Sequence, residues 1–114
     1  MNMHTVKAEL IFRVEGHPAI VGERGISLVP EQVSVRRAWR YIGYAGRGNE
    51  EAYTSWSIRG ARVLKSGIVS HKSEHWRFGS PGDDLDQLRQ EGHSDLANRI
   101  RGAIALLPTA GSIE

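Results

Sequence analysis

The strict alternation of apolar and polar residues near the start of this chain is the feature that most constrains its fold. In "TVKAELIFRVE" charged residues stand between most of the apolar positions, which are Val6, Ala8, Leu10, Phe12 and Val14. A period of two is typical of a β-strand with one face buried and the other in water. The pattern therefore predicts a strand that belongs to a sheet, with a second layer over its apolar face.

The segments that follow predict the rest of that sheet. After a break at "GHP", the stretch "AIVGERGISLVP" indicates a turn, or one to two helical turns, before Pro30. Alternation returns in "EQVSVRRAWRYIGYAG", and "AYTSWSIRG" has the composition of a third strand, with a loop predicted at "GYAGRGNEE" between them. Two further β-like runs, Val63 to Val69 and His75 to Phe78, complete a predicted meander of strands.

The pattern becomes helical after "GSPGDD". Serine, proline and aspartate at positions 80, 81 and 83 predict a helix start in which the Ser80 hydroxyl caps a free N–H. This first helix turns Leu85 and Leu88 inward and stops before Gly92, and a second helix begins at Ser94. The second helix has a broad apolar face and is ended by a proline: Leu96, Ile100, Ala103, Ile104, Leu107 and then Pro108.

Together these elements predict a two-layer α+β domain, with an antiparallel sheet of four to five strands packed by C-terminal helices. A chain of 114 residues can bury one core, so we expect a single domain over residues 1–114 with a loose tail after residue 108. The absence of cysteine excludes disulfides, thiolate metal ligands and a cysteine nucleophile. No apolar run resembles a signal peptide or a membrane helix, so we expect a soluble cytoplasmic protein with no membrane partner.

Charge is distributed unevenly along the chain. Residues 36–77 hold nine basic and three acidic side chains, whereas residues 78–114 hold three basic and six acidic ones. The middle of the chain is therefore +6 although the whole chain is only +2, which predicts that this part faces an anionic partner.

Arginines and aromatic residues are interleaved within that middle part. The basic aromatic segment, residues 36–47, contains Arg36, Arg37, Trp39, Arg40, Tyr41, Tyr44 and Arg47. Guanidinium groups bind phosphates and aromatic rings stack on bases, so these seven residues form a candidate site for nucleic acid or another partner. The alternative is a sheet strand whose Trp39 and Tyr41 enter the core, while its arginines lie in water or pair with nearby glutamates.

The stretch "IVSHKSEHW" contains H-x-x-E-H, formed by His71, Glu74 and His75. One class of zinc peptidases uses this spacing on a helix, where both histidines reach the same ion. The flanking residues predict a strand or hairpin instead, and on a strand the two histidines are about 13 Å apart at about 3.3 Å per residue. We therefore reject these three residues as a metal site, and we expect neither a metal nor a cofactor.

Serine–histidine–acid catalysis has weak support. His4, His17 and His93 are scattered and serines are plentiful, but there is no G-x-S-x-G motif and no histidine with an evident paired acid. His17 and His93 stand beside turn residues, where local hydrogen bonding is the simpler role. A small hydrolase is therefore the third functional hypothesis.

Several short motifs occur once each along the chain, and their order is informative. They are "IFRV" at the end of the first strand, a turn with Gly25, Ile26, Val29 and Pro30, "WSI" at Trp56–Ile58, and a leucine-bearing C-terminal helix. This order resembles a family of small bacterial α+β domains of unknown function. That family has a tighter glycine-to-proline spacing and a lysine–glycine pair before its tryptophan strand, and this sequence has neither. The resemblance implies no enzymatic activity and no cofactor, and some members are suspected immunity proteins that bind a toxin.

Two functional classes therefore lead. The first is a non-enzymatic protein-binding domain of the inhibitor, immunity or accessory type, which acts through a sheet face or loops on an unidentified protein partner. The second is a nucleic-acid binder that acts through residues 36–47. The sequence leaves the oligomeric state open between a monomer and a homodimer.

Overall fold

Five strands and two α-helices make up the part of the chain that the structure describes. The computed structural model describes the backbone of residues 2–44 and 47–108, and the side chains of residues 7–39 and 52–108. In chain order the elements are β1 (Asn2–Arg13), β2 (Ile20–Val21), a 3-10 turn (Glu23–Gly25), β3 (Ser27–Tyr44), β4 (Arg47–Val63), β5 (Val69–Gly79), α1 (Asp83–Gln90) and α2 (Ser94–Leu106). The predicted two-layer α+β class is confirmed, while the predicted loose tail after residue 108 lies outside the described residues. Of the helices within these ranges, none is long and apolar enough to cross a membrane.

The sheet is antiparallel, with the strand order β1-β3-β4-β5 and with β2 paired to the start of β3. β3 and β4 form one long hairpin, whose pairing runs from Leu28 and Arg62 to Tyr44 and Arg47. β5 pairs with β4 only between Trp56 and the end of that strand, so the hairpin extends well beyond β5. The molecule is consequently elongated, with principal dimensions of 60 × 24 × 21 Å.

The prediction of a loop over residues 43–51 is wrong for most of that range, because strand pairing continues through it. β3 runs to Tyr44 and β4 begins at Arg47. Glycine and asparagine disfavour strands, but pairing across the hairpin gives their backbone N–H and C=O groups hydrogen-bond partners. Long-range pairing therefore overrides local composition in this segment.

One face of the sheet packs on the two helices and forms the core. The buried strand residues on this face include Val33, Val35, Trp56 and Ile58, and the helices contribute Leu85, Leu88, Leu96, Ala97, Ile100 and Ala103. Leu10 and Phe12 of β1 pack against the same cluster from the side. The predicted apolar face of α2 is therefore confirmed, and so is the phase of the alternation in β1.

The start of α1 differs from its prediction. Its N-cap is Gly82, with φ at 95°, and no side chain caps the helix there. Ser80 instead donates both its backbone N–H and its hydroxyl to the Asp84 carboxylate, each at 2.7 Å. These two bonds, the backbone one first, lower the pKa of Asp84. The acid in the first turn thus holds the preceding loop, whereas the sequence predicted that the serine would cap the helix.

The segment around residues 68–76, for which a strand or hairpin was predicted, is one strand with a bulge. Glu74 pairs with Ala61, but Arg62, the next residue of β4, pairs with Ser70. Residues 71–73 therefore have no partner in β4 and lie outside the ladder. The turn comes earlier and is closed by a 2.8 Å hydrogen bond from the Leu64 N–H to the Ile68 carbonyl.

Two glycines provide a matched test of the core. A Cβ on Gly79 would lie 2.2 Å from the buried Trp56 ring, whereas a Cβ on Gly102 in α2 would meet nothing within 4 Å. We expect Gly79→Ala to lower the free energy of unfolding by about 1–3 kcal/mol through overpacking. Gly102→Ala should raise it by about 0.5–1 kcal/mol, because alanine favours the helix. Urea unfolding measures both changes, and an unchanged midpoint for Gly79→Ala would contradict this account of the core.

Candidate functional site

The sheet divides the basic aromatic segment between its two faces. Successive residues of a strand point to opposite sides, so Arg37 and Trp39 lie on the helix side of β3 while Arg36 lies on the other side. The side chains of the remaining members, which are Arg40, Tyr41, Tyr44 and Arg47, lie outside the described residues. Within the described part, the segment does not form one continuous surface.

Arg37 holds the end of α2 against the sheet. Its guanidinium donates to the carbonyl oxygens of Leu107 and Pro108 at 3.1 and 3.0 Å, and to that of Ile104 at 3.5 Å. Its Nε also donates to the Thr54 hydroxyl at 3.2 Å. The last carbonyls of a helix have no partner within the helix and carry partial negative charge, so a guanidinium beside them stabilises the helix end. This arginine is engaged in the fold and is not directed at a partner.

Trp39 and Arg36 have opposite environments. Trp39 is buried, whereas Arg36 is exposed and its Nε lies 3.6 Å from a carboxylate oxygen of Glu9 in β1. Of the three members of the basic aromatic segment with described side chains, Arg36 is the one that faces solvent. That arrangement matches the alternative in which the aromatic residue belongs to the core.

No helix or strand of the described part of the chain packs on the sheet face turned away from α1 and α2, and we call it the open face. Strand register brings together on it Lys7, Glu9, Ile11, Arg13, Ser34, Arg36, Tyr53, Ser57, Arg59, Glu74, Trp76 and Phe78. One row crosses four strands in the order Ile11, Ser34, Ser57, Phe78, with small serines in the middle and exposed apolar residues at both ends. The surface of the open face is therefore recessed along its centre, where the side chains are small, and an apolar side chain projects at each end of the row.

β5 has the reverse of the usual pattern, with its cation inside and its aromatic residues outside. Arg77 is only 8% exposed, whereas Phe78 is 52% and Trp76 is 37% exposed. Arg77 donates to the Val21 carbonyl at 3.0 Å and forms an ion pair with Glu91 after α1. The structure therefore places the Trp76 ring on the open face and not in the core.

The two exposed aromatic rings are arranged in parallel. Trp76 and Phe78 have ring centroids 6.0 Å apart and planes within 9° of each other. The guanidinium of Arg59, on the adjacent strand, lies 5.9 Å from the Trp76 ring centroid, which is within cation–π range. A preformed platform of stacked rings and a guanidinium can hold a planar or apolar group of a partner at little cost in side-chain entropy.

The described side chains of the open face carry a net positive charge. Among them, four cations, Lys7, Arg13, Arg36 and Arg59, accompany two acids, Glu9 and Glu74. Both acids lie near arginines, but the Arg59–Glu74 contact is 3.8 Å, which is a loose ion pair. Beside these charges a surface depression of about 420 Å³ is lined in part by Lys7, Glu9, Arg36 and Tyr53. A partner with carboxylates around an apolar centre would complement this surface.

The residues of the H-x-x-E-H motif lie on one strand and do not converge. His71 is in the bulge, and His75 lies opposite Gly60 in the ladder. The Glu74 carboxylate forms a 3.8 Å ion pair with Arg59 of the adjacent strand. Among residues with described side chains, no group of three or more histidines and acids is placed to hold a metal ion.

Two other histidines contact each other at the end of the molecule where α2 begins. His17 Nε2 and His93 Nδ1 are 3.0 Å apart, with ring centroids separated by 5.0 Å. This bond ties the loop after β1 to the turn between the helices, 76 residues later, so it is a long-range contact and not the local hydrogen bonding that the sequence indicated. Burial is the largest cause of a lowered pKa in both rings, and the neighbouring His93 lowers the pKa of His17 further.

Comparison with protein-family models, with curated proteins and with solved structures gives no match.

The sequence missed the open face because Trp76 and Phe78 lie outside the basic aromatic segment. The signal was present in "HWRFG", where aromatic residues alternate with an arginine. This alternation shows that the aromatic residues and the arginine lie on opposite faces of the strand, but it does not show which of them faces the core. The inside partner of Arg77 is Glu91, 14 residues later, and no local pattern connects the two.

Arg37 and Arg36 provide a matched pair for testing the structural role of the first. We expect Arg37→Ala to lower the free energy of unfolding by about 1–3 kcal/mol, because three carbonyls at and just after the end of α2 lose a charged donor. Arg36→Ala should cost about 0–1 kcal/mol, since it removes an exposed ion pair. Denaturant unfolding of both variants is the measurement. Equal losses of unfolding free energy in the two variants would show that Arg37 does not hold α2 against the sheet.

The histidine pair predicts that stability depends on pH. The ordinary histidine pKa is 6.5, and folding lowers it at both His17 and His93, so the unfolded chain binds more protons than the native protein just below that value. The free energy of unfolding should therefore be highest above pH 7 and fall as the pH drops through the range below 6.5. Thermal unfolding between pH 8 and pH 5 measures this slope. His93→Gln should flatten it and the exposed control His71→Gln should not; an unchanged slope in His93→Gln would count against the pair.

Proposed function

We propose that this chain is a non-enzymatic protein-binding domain and that its open face is the binding surface. The observation that carries the proposal is the orientation of β5, which exposes Trp76 and Phe78 while it buries Arg77. Exposed aromatic residues that cluster on one face are typical of binding surfaces, and tryptophan, tyrosine and arginine are the residues most often found at their energetic centres.

The composition of the face defines the chemistry of the partner. Ile11 and Phe78 are the apolar ends of the central row, about 14 Å apart at a strand spacing of about 4.8 Å. That distance accommodates an extended segment or one helix, whose diameter is about 10–12 Å. The surrounding cations favour carboxylates at the rim of the partner surface. We therefore propose an acidic protein with an apolar strip, which agrees with the inhibitor or immunity role implied by the family resemblance.

Single-stranded nucleic acid is the second candidate, and one observation favours it. Arg59 lies over Trp76 beside the parallel Phe78 ring, and bases stack on such aromatic and guanidinium groups. Against it, Arg37 and Trp39 of the basic aromatic segment are turned toward the helices. The two acids on the open face would also repel phosphates.

A matched pair of exposed apolar residues tests the protein-binding proposal. Phe78 is on the open face, whereas Leu106, 74% exposed, is on α2. The partner is captured on immobilised protein from the cells that naturally make this chain, identified by mass spectrometry, purified and titrated calorimetrically. We expect Phe78→Ser to weaken its binding at least about tenfold, as loss of an interface anchor does. Leu106→Ser should bind like the natural chain.

Nucleic-acid binding is tested in parallel by fluorescence anisotropy with mixed-sequence single-stranded RNA and DNA. Tight binding that weakens steeply with salt, and that Arg59→Ala abolishes, would replace the protein-binding proposal with the second candidate. A purified protein partner that binds Phe78→Ser and the natural chain equally would contradict the assignment of the open face.

A further inference from the structure

β1 forms an edge of the sheet that lacks three of the usual protections, although it carries charged residues and Arg99 of α2 contacts its end at Arg13. It is the first strand in the order β1-β3-β4-β5 and, within the described residues, it pairs with β3 alone. Its 12 residues contain no proline, and its register with β3 runs without a bulge from Asn2 to Arg13. Natural edge strands are usually short, bulged or interrupted by proline, because a long regular edge accepts another strand.

We propose that β1 pairs with β1 of a second copy of this chain, antiparallel and about a two-fold axis at Ala8. Antiparallel pairing of identical edges requires an axis perpendicular to the sheet, which keeps the open faces of both copies on one side. Side chains of residues that lie directly opposite each other point to the same face of the sheet. The axis must therefore pass midway between one residue and the same residue of the other copy, and not at a point between two successive residues. This condition leaves only a few registers to compare.

Charge selects among these registers. With the axis at Ala8, Lys7 of each copy lies opposite Glu9 of the other, which makes two pairs of opposite charges. Moving the axis by one residue places Lys7 opposite Lys7, or Glu9 opposite Glu9, and either arrangement is repulsive. With the axis at Ile11, Glu9 of each copy would lie opposite Arg13 of the other, but only residues 9–13 of the two strands would pair. The Ala8 register joins residues 3–13.

Lys7 is the side chain at the centre of this edge that is available for such pairing, since it is exposed and has no acidic partner among the described side chains. Glu9 is also exposed, but it already lies 3.6 Å from Arg36 and accepts a 2.9 Å hydrogen bond from the Ser34 hydroxyl, both on β3. A second copy would bring Lys7 to the outer side of this carboxylate, opposite its existing partners.

The helical layers do not obstruct the pairing. α2 reaches β1 through Arg99, which donates to the Arg13 carbonyl at 3.1 Å and lies 4.5 Å from the Phe12 ring centroid. This contact is about 13 Å along the strand from Ala8, at about 3.3 Å per residue. The other end of α2 lies at Arg37 of β3, opposite Ala8, so at the level of the axis each helix lies over β3 of its own copy. The β3 strands of the two copies are three strand spacings apart, about 14 Å at about 4.8 Å per strand, which leaves room for both helix ends.

Analytical ultracentrifugation of the natural chain and charge variants tests the proposal. We expect the natural chain to dimerise. Lys7→Glu should weaken dimerisation about tenfold or more, because two attractive pairs become repulsive. Lys72→Glu, a change of the same charge in the β5 bulge, should leave the dimer unchanged. Circular dichroism establishes that each variant is folded.

A mixing experiment gives the sharper result. Lys7→Glu alone and Glu9→Lys alone each place like charges opposite one another, but a mixture of the two variants restores opposite charges at both positions. Native mass spectrometry of the mixture should therefore show the heterodimer in excess over both homodimers, and salt should reduce this preference. A monomeric natural chain, or a dimer that Lys7→Glu does not weaken, would overturn the proposal. If Glu9→Lys fails to fold, the salt dependence of the Lys7→Glu dimer provides the same test.

Discussion

The contact between the buried Arg77 and the partly exposed Glu91 carboxylate sets the orientation of the last strand, and the exposed surface depends on that orientation. A guanidinium removed from water without a partner would cost several kcal/mol, but here it bonds to a carboxylate and to the Val21 carbonyl. The contact links β5, β2 and the end of α1 in one place. Because the residues of a strand alternate, an inward Arg77 requires that Trp76 and Phe78 point outward. A core interaction thus determines what the opposite face of the sheet presents.

The sequence predicted the elements of this fold well wherever the apolar pattern is regular. β1 and α2 each contain apolar residues at one period, and both bury the predicted face. The prediction was wrong at residues 43–51, where strands continue because a neighbouring strand pairs with them. It was also wrong at Ser80, which donates to an acid four residues later instead of capping the helix. Long-range pairing decides the first structure, and a choice between two local hydrogen bonds decides the second.

The candidate site shows the same limit more strongly. Composition pointed to residues 36–47, yet Arg37 is bonded to the C-terminal carbonyls of α2, 67 to 71 residues away in sequence. The open face gathers residues from four strands, and no single stretch of the chain contains more than a few of them. Its assembly depends on register, which sequence patterns fix only when apolar and polar residues clearly alternate. In β5 they do not, because the alternating residues are aromatic and basic.

Two departures from ordinary design lie at opposite edges of the sheet. Aromatic residues point to solvent from β5, and β1 is a long, regular edge strand; natural proteins depart from such rules mainly where a function requires it. The proposed two-fold axis is perpendicular to the sheet, so a dimer would present both open faces in one direction, joined through the edge strands beside Ile11. A partner with two similar acidic, apolar strips could then engage both faces at once. Bound in that way, it would dissociate more slowly than from a single face, because the second contact forms at a high effective concentration.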